Sequence, residues 1–103
     1  KNNSEKHWPC DLALLALGFT GPEKLIPNEL GLKINDRNNI EAKDKFQTSR
    51  KKIFVAGDAR RGQSLIVWAI SEGREAAYEI DKFLMGDSKL PKKEKEGDLI
   101  SVN

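Results

Sequence analysis

The sequence predicts an α/β chain with buried parallel strands, a small β-hairpin excursion and a long C-terminal helix. Three observations carry that expectation. A continuous apolar run, "DLALLAL", is followed by Gly18 and Gly21; a second, "IFVA", lies between two lysines and Gly57-Asp58; and after it the apolar residues change to a period of three to four. Short apolar runs bounded by turn signals read as strands buried on both faces, as in a parallel sheet covered by helices. With 103 residues, 38% of them hydrophobic, the chain has material for one modest core.

Residues 1–10 form a polar lead-in. His7 is the only histidine and Cys10 the only cysteine, so neither has the neighbours that a nucleophile with its base, a disulfide or a zinc site requires. Cys10 is expected to pack as a small hydrophobe. Residues 11–86 are the folded part. The first strand covers Leu12 to Leu17, where a helix would be short. Pro22, Pro27 and Gly31 then break regularity and leave at most a turn of helix around Glu23 to Leu25. Weak alternation around "NDRNN" predicts an exposed hairpin.

The run from Ile53 to Ala56 is the second buried strand. Beyond it Ile66, Ala69, Ile70, Gly73, Ala76, Ala77, Ile80, Phe83 and Leu84 fall on one face of a helix from about 64 to 85. Ser64 is its expected N-cap and Gly86 its left-handed C-terminal cap. Gly73, Ala76 and Ala77 would let that face approach a sheet closely. Residues 87–103 alternate in charge and read as a solvated, flexible tail.

Eighteen basic side chains against sixteen acidic ones, a net charge of +2, give no electrostatic footprint for nucleic acid or a membrane surface. No apolar run approaches the roughly 20 residues that cross a bilayer. The opening "KNNSEKHWPCD" lacks Met at position 1 and the apolar core of a signal peptide, which points to an internal or C-terminal excerpt of a longer polypeptide. The cytoplasm is the expected compartment, with an organelle the alternative in a eukaryote.

The chemistry concentrates at "VAGDARRGQS". In open parallel sheets ligands gather at the carboxyl ends of strands, where Asp58 is expected, and the following helix directs unpaired amides toward the same crevice. A carboxylate there accepts hydrogen bonds from sugar or sugar-alcohol hydroxyls, and Gly57 and Gly62 leave room for close approach. The residues therefore suit a polyhydroxylated, partly anionic cofactor, with Asp58 on hydroxyls and the amides near Leu65 to Val67 on an acceptor-rich edge. A capped loop with no ligand fits the same residues. Arg60 and Arg61 suit either phosphate or a structural role, and Trp68 suits core packing better than ring stacking.

"QTSRKKIFVAGDARRGQSLIVWAISEGREAA" resembles the second flavin-binding signature of two-dinucleotide-domain flavoprotein reductases: a threonine, here Thr48, a spacer, an apolar strand and Gly-Asp. Together with "LLALGFTGPE" and "DKFLMGDSKLP", it looks like the C-terminal part of the glutamate synthase small (β) subunit family, or the equivalent region of fused glutamate synthases. The likeness covers roughly residues 11 to 91. It implies a partial Rossmann-like FAD/NAD(P)-binding domain. It also implies that Gly57 and Asp58 meet the ribityl or pyrophosphate part of FAD, and that the backbone of Gln63, Ser64, Leu65, Ile66 and Val67 faces the pyrimidine edge of the isoalloxazine. Ala16-Leu17-Gly18 would mark the return from a nicotinamide domain.

The implied activity is transfer of electrons from NAD(P)H through FAD toward iron–sulfur centres for glutamate synthesis, with the rest of the parent polypeptide and a large subunit or fused large domain as partners. FAD would be shared with a part absent from this sequence, which has no Gly-x-Gly-x-x-Gly and no cysteine-rich cluster segment. No residue here is expected to be catalytic or to bind metal. The alternatives are a related NAD(P)H:acceptor reductase, or a non-catalytic α/β interaction module that keeps a degenerate flavin signature.

Overall fold

A computed structural model describes residues 3–93 of the chain. Residues 3–20 run exposed and without regular structure. Leu12, Leu14, Leu15, Leu17 and Phe19 are 75–85% exposed, so the strand expected at Leu12 to Leu17 is not formed. A strand buried on both faces needs neighbours for its backbone and cover for its side chains, and none lies within reach among the described residues. Cys10, expected to pack, is exposed in the same stretch.

Helix α1 spans Leu25–Glu29. Pro27 sits in its first turn, where a missing N–H deprives the helix of nothing, and it is buried. The helix closes with the paired bonds of a Schellman cap: Gly31 N–H to the Asn28 carbonyl, 3.1 Å, and Leu32 N–H to the Pro27 carbonyl, 2.8 Å.

The expected hairpin follows. Asn35 Oδ1 accepts the N–H groups of Arg37 and Asn39, both at 3.0 Å, while Asn38 takes a left-handed φ of 61°. These bonds turn the chain so that Ile34 and Ile40 pair antiparallel. Two further antiparallel bridges follow: Ala42 with Thr48, which encloses a 3-10 turn at Asp44–Phe46, and Gln47 with Phe54. Thr48 is buried; its hydroxyl lies within hydrogen-bond reach of the Arg50 and Ile53 carbonyls, 3.1 and 3.0 Å, and accepts the Arg50 N–H. The threonine of the signature thus staples the turn that feeds "IFVA".

That second apolar run is covered at Val55, but its ladder bond, Val55 N–H to the Phe46 carbonyl at 2.9 Å, belongs to the antiparallel excursion. The parallel pairing expected of it is absent among the described residues. Helix α2, Asp58–Arg61, is a single turn where a loop was expected. Helix α3 spans Ile66–Met85 and ends at Gly86, whose φ of 88° is the expected left-handed cap. Its N-cap is Leu65 with no side-chain cap bond, so Ser64 does not cap it.

The buried face of α3 is also rotated from the expected one. Ser71, Glu72 and Ala76 are buried, whereas Ile66, Ile70, Gly73, Ala77 and Leu84 are exposed. Phe83 contributes an edge-to-face contact with Phe54, centroids 5.7 Å apart, that packs the end of α3 on the bridge region. The small core is formed by Ile40, Val55 and Ala76. The expectation for the charged tail lies outside the described residues from position 94 onward. Lys93, the last described residue, is ion-paired with Glu75 of α3 at 3.0 Å.

Candidate functional site

The Gly-Asp turn is held from beneath by one carboxylate. Glu72, 1% exposed on the inner face of α3, accepts the Gly57 N–H at 2.9 Å, Arg60 Nε at 3.0 Å and Arg61 Nε at 2.7 Å, and pairs with Arg60 Nη2 as well. Arg60 thereby grips both oxygens in a fork, the geometry that makes arginine–carboxylate pairs directional. Burial pushes the Glu72 carboxyl up, but the hydrogen bonds from Arg60, Arg61 and Gly57, with the Arg60 charge, outweigh it and hold the group below its ordinary value.

The guanidinium faces are used too. Arg60 lies over the Phe46 ring, 5.1 Å from its centroid, and Arg61 over Trp68 at 4.8 Å. These arginines are therefore structural, fixing α2 against α3. Trp68 is half-buried under Arg61, with Lys93 Nζ 5.8 Å from the same ring centroid, so it serves packing.

Gly57 is required by its backbone. It has a φ of 66°, and a Cβ there would stand in ordinary contact, 3.7 Å, with that of Ala69, so conformation and not space selects glycine. Its φ swings Asp58 outward, while its N–H is tied inward to Glu72. Asp58 is exposed and its carboxylate has no hydrogen-bond or ion-pair partner among the described residues.

In front of the turn lies a cavity of about 320 Å³. Its walls are the segment from Phe19 to Pro22, the hairpin residues Arg37 and Asn39, and the turn residues Asp58, Ala59, Gly62 and Gln63. Two contacts close it: Ile40 N–H donates to the Ala59 carbonyl at 2.8 Å, and Phe19 N–H donates to Gln63 Oε1 at 3.2 Å.

Of the seven residues singled out in the sequence, Asp58 and Gln63 face this cavity. Gly57 is buried behind it, and Ser64, Leu65, Ile66 and Val67 continue, exposed, into the start of α3. The first backbone bonds of that helix are from Trp68 and Ala69 to the Leu65 carbonyl, so the amides of Ile66 and Val67 precede the ladder. Sequence reasoning missed Glu72, Arg37 and Asn39. Glu72 had a signal: it falls between Ala69 and Ala76 at spacings of three and four, and a carboxylate on a packed face needs cationic partners such as the two arginines upstream.

The donor set fits a ligand bearing hydroxyls and phosphates. It offers an unpartnered carboxylate, an arginine and two carboxamides around one concave space. Among the described residues no group of three His, Cys, Asp or Glu is placed to hold a metal ion, and no helix is long and apolar enough to cross a membrane.

Comparison with known proteins defines the class. Residues 1–73 match the model of the pyridine nucleotide-disulphide oxidoreductase family, and the chain belongs to that family of Rossmann-like oxidoreductase enzymes. It is 55% identical over 83 residues to the "Glutamate synthase [NADPH] small chain" of Mycobacterium tuberculosis (strain ATCC 25618 / H37Rv), covering 80% of this chain and 17% of that one. It is 49% identical over 88 residues to the small chain of Bacillus subtilis (strain 168), covering 85% and 18%. A "Glutamate synthase [NADH]" of Schizosaccharomyces pombe is 48% identical over 90 residues, 86% of this chain and 4% of the relative. The chain thus spans under a fifth of the length of these relatives and is related to glutamate synthase oxidoreductases.

Proposed function

We propose that this chain is the C-terminal segment of the FAD-binding domain of a glutamate synthase β-type oxidoreductase, spanning residues 11–86, and that it forms one wall of the flavin site. The observation that carries the reading is the Asp58 carboxylate, unpartnered and exposed at the cavity, on the single turn α2 that precedes the 20-residue helix α3. Gly57 turns the chain, Asp58 accepts from sugar-alcohol hydroxyls, and the Ile66 and Val67 amides face the electron-rich edge of the ring system. A bound flavin supplies the two-electron chemistry that takes reducing equivalents from NAD(P)H toward iron–sulfur centres. The residues here bind it, orient it and present fixed positive dipoles to its edge. The large subunit or fused large domain, the acceptor of those electrons, lies outside this chain.

The test is the visible flavin spectrum of the longer polypeptide, wild type and Asp58→Ala. Stoichiometric FAD in the wild type with an at least fivefold weaker FAD affinity in the variant is expected, about 1 kcal/mol or more for a lost hydrogen bond to a charged group. A longer polypeptide that takes up no flavin after reconstitution rules the reading out.

A further inference from the structure

The hairpin brings to the cavity two residues that the Gly-Asp signature does not contain. Asn39 is 4% exposed, yet its carboxamide makes no hydrogen bond among the described residues. Its polar atoms keep access to the cavity, where a ligand or water can complete them. Arg37 stands beside it with only its backbone N–H engaged, on Asn35. Both line the same cavity as Asp58.

The backbone around them is shaped for close approach. A Cβ at Gly62 would stand 3.1 Å from Asn39 Nδ2, and one at Gly21 would come within 2.7 Å of the Asn38 carbonyl oxygen. Both glycines are at positive φ, 87° and 137°. Side chains at these positions would intrude on the hairpin from either side. Arg60 and Arg61, the other cations near the turn, are held by Glu72, which leaves Arg37 as the cation among the lining residues.

We infer that Arg37 and Asn39 bind the phosphate oxygens of the flavin dinucleotide, making the hairpin the anion-binding wall of the cavity, while Asp58 serves the hydroxyls. This rests on the flavin reading above and extends it to residues outside the signature. Arg37 supplies charge and two parallel donors; Asn39 donates from Nδ2 and accepts a neighbouring hydroxyl on Oδ1.

The experiment is fluorescence titration of the deflavinated longer polypeptide with FAD over a range of salt concentrations. Wild type is compared with Arg37→Gln, Arg37→Lys, Asn39→Asp and Asp58→Ala, and NADPH affinity is measured alongside. Arg37 is exposed, so its variants keep the fold, and far-UV circular dichroism checks the buried Asn39 variant. Arg37→Gln is expected to raise the FAD Kd about tenfold and flatten its salt dependence, with partial recovery in Arg37→Lys. Asn39→Asp, which sets a carboxylate against phosphate, weakens FAD at least as much, and NADPH affinity stays unchanged. If Arg37→Gln and Asn39→Asp bind FAD within about twofold of wild type while Asp58→Ala loosens it, the anion wall is refuted and the flavin reading stands. If NADPH affinity falls instead, the wall serves another dinucleotide and the inference fails. A wild-type polypeptide with no FAD affinity removes both.

Discussion

At the scale of single residues, Glu72 decides more than any other. Its four donors come from three residues, so removing the carboxylate leaves Arg60 and Arg61 facing each other and the Gly57 N–H without an acceptor. Breaking a buried pair by deleting one partner costs about 3 kcal/mol or more. Glu72→Ala is therefore expected to lower stability by about that amount and to loosen the Gly-Asp turn, measured by urea denaturation of the longer polypeptide. The pH dependence has a definite sign. The folded carboxyl titrates below its unfolded value, so its contribution is fully present above the unfolded pKa of about 4.3 and is lost as pH falls through the lower folded value. Glu72→Gln should flatten the stability profile in that acid range and leave it unaltered in shape near neutrality. A wild-type profile that gains stability on acidification below pH 4 (a value near the unfolded carboxyl pKa) would contradict the assignment.

At the scale of elements, the sequence was legible where local chemistry is sufficient. The hairpin was foretold by "NDRNN", whose Asn35 side chain bonds its own turn, and the end of α3 by Gly86. Gly86 offers a clean measurement, because a Cβ there would meet nothing within 4 Å. Gly86→Ala should cost only the left-handed conformation, about 1 kcal/mol, and a loss near 3 kcal/mol or more would mean that packing is involved. The face of α3 was not legible. The helix carries apolar residues on two stripes, one through Ala69, Ala76 and Phe83 and one through Ile66, Ile70 and Leu84, and periodicity alone does not say which is covered. In the structure the first is the better covered, with Ala76 buried, Ala69 half-buried and Phe83 in ring contact with Phe54, and Glu72 lies on it and draws Arg60 and Arg61 onto that side. Asp58 was legible in the site because Gly-Asp after an apolar run is a local pattern. Arg37 and Asn39 were not, since the Ile40 to Ala59 bond that brings them to the turn joins residues nineteen apart in sequence.

At the scale of the whole molecule, the two apolar runs behave differently, and the difference is instructive. "IFVA" finds cover because Phe46, Gln47 and α3 are brought against it by short connections. "DLALLAL" finds none, and the described chain spreads to a radius of gyration of 18.5 Å, where a packed domain of about 100 residues has about 13 Å. An exposed run of leucines with unpaired backbone is unfavourable for any free chain and marks a surface to be covered. Its composition remains that of a strand interior, so the segment is expected to pair when the longer polypeptide supplies neighbouring strands. Hydrogen exchange of the peptide 12–19 measures this directly. In the isolated chain its amides should exchange at nearly the rate of an unstructured peptide, apart from Phe19, whose N–H is bonded to Gln63. In the longer polypeptide they should slow by at least about a hundredfold, the protection that about 2.8 kcal/mol of local stability confers. Equal, rapid exchange in both would mean that the run is never a strand, and that the cavity wall from Phe19 to Pro22 is held only by its bond to Gln63 and its approach to the hairpin.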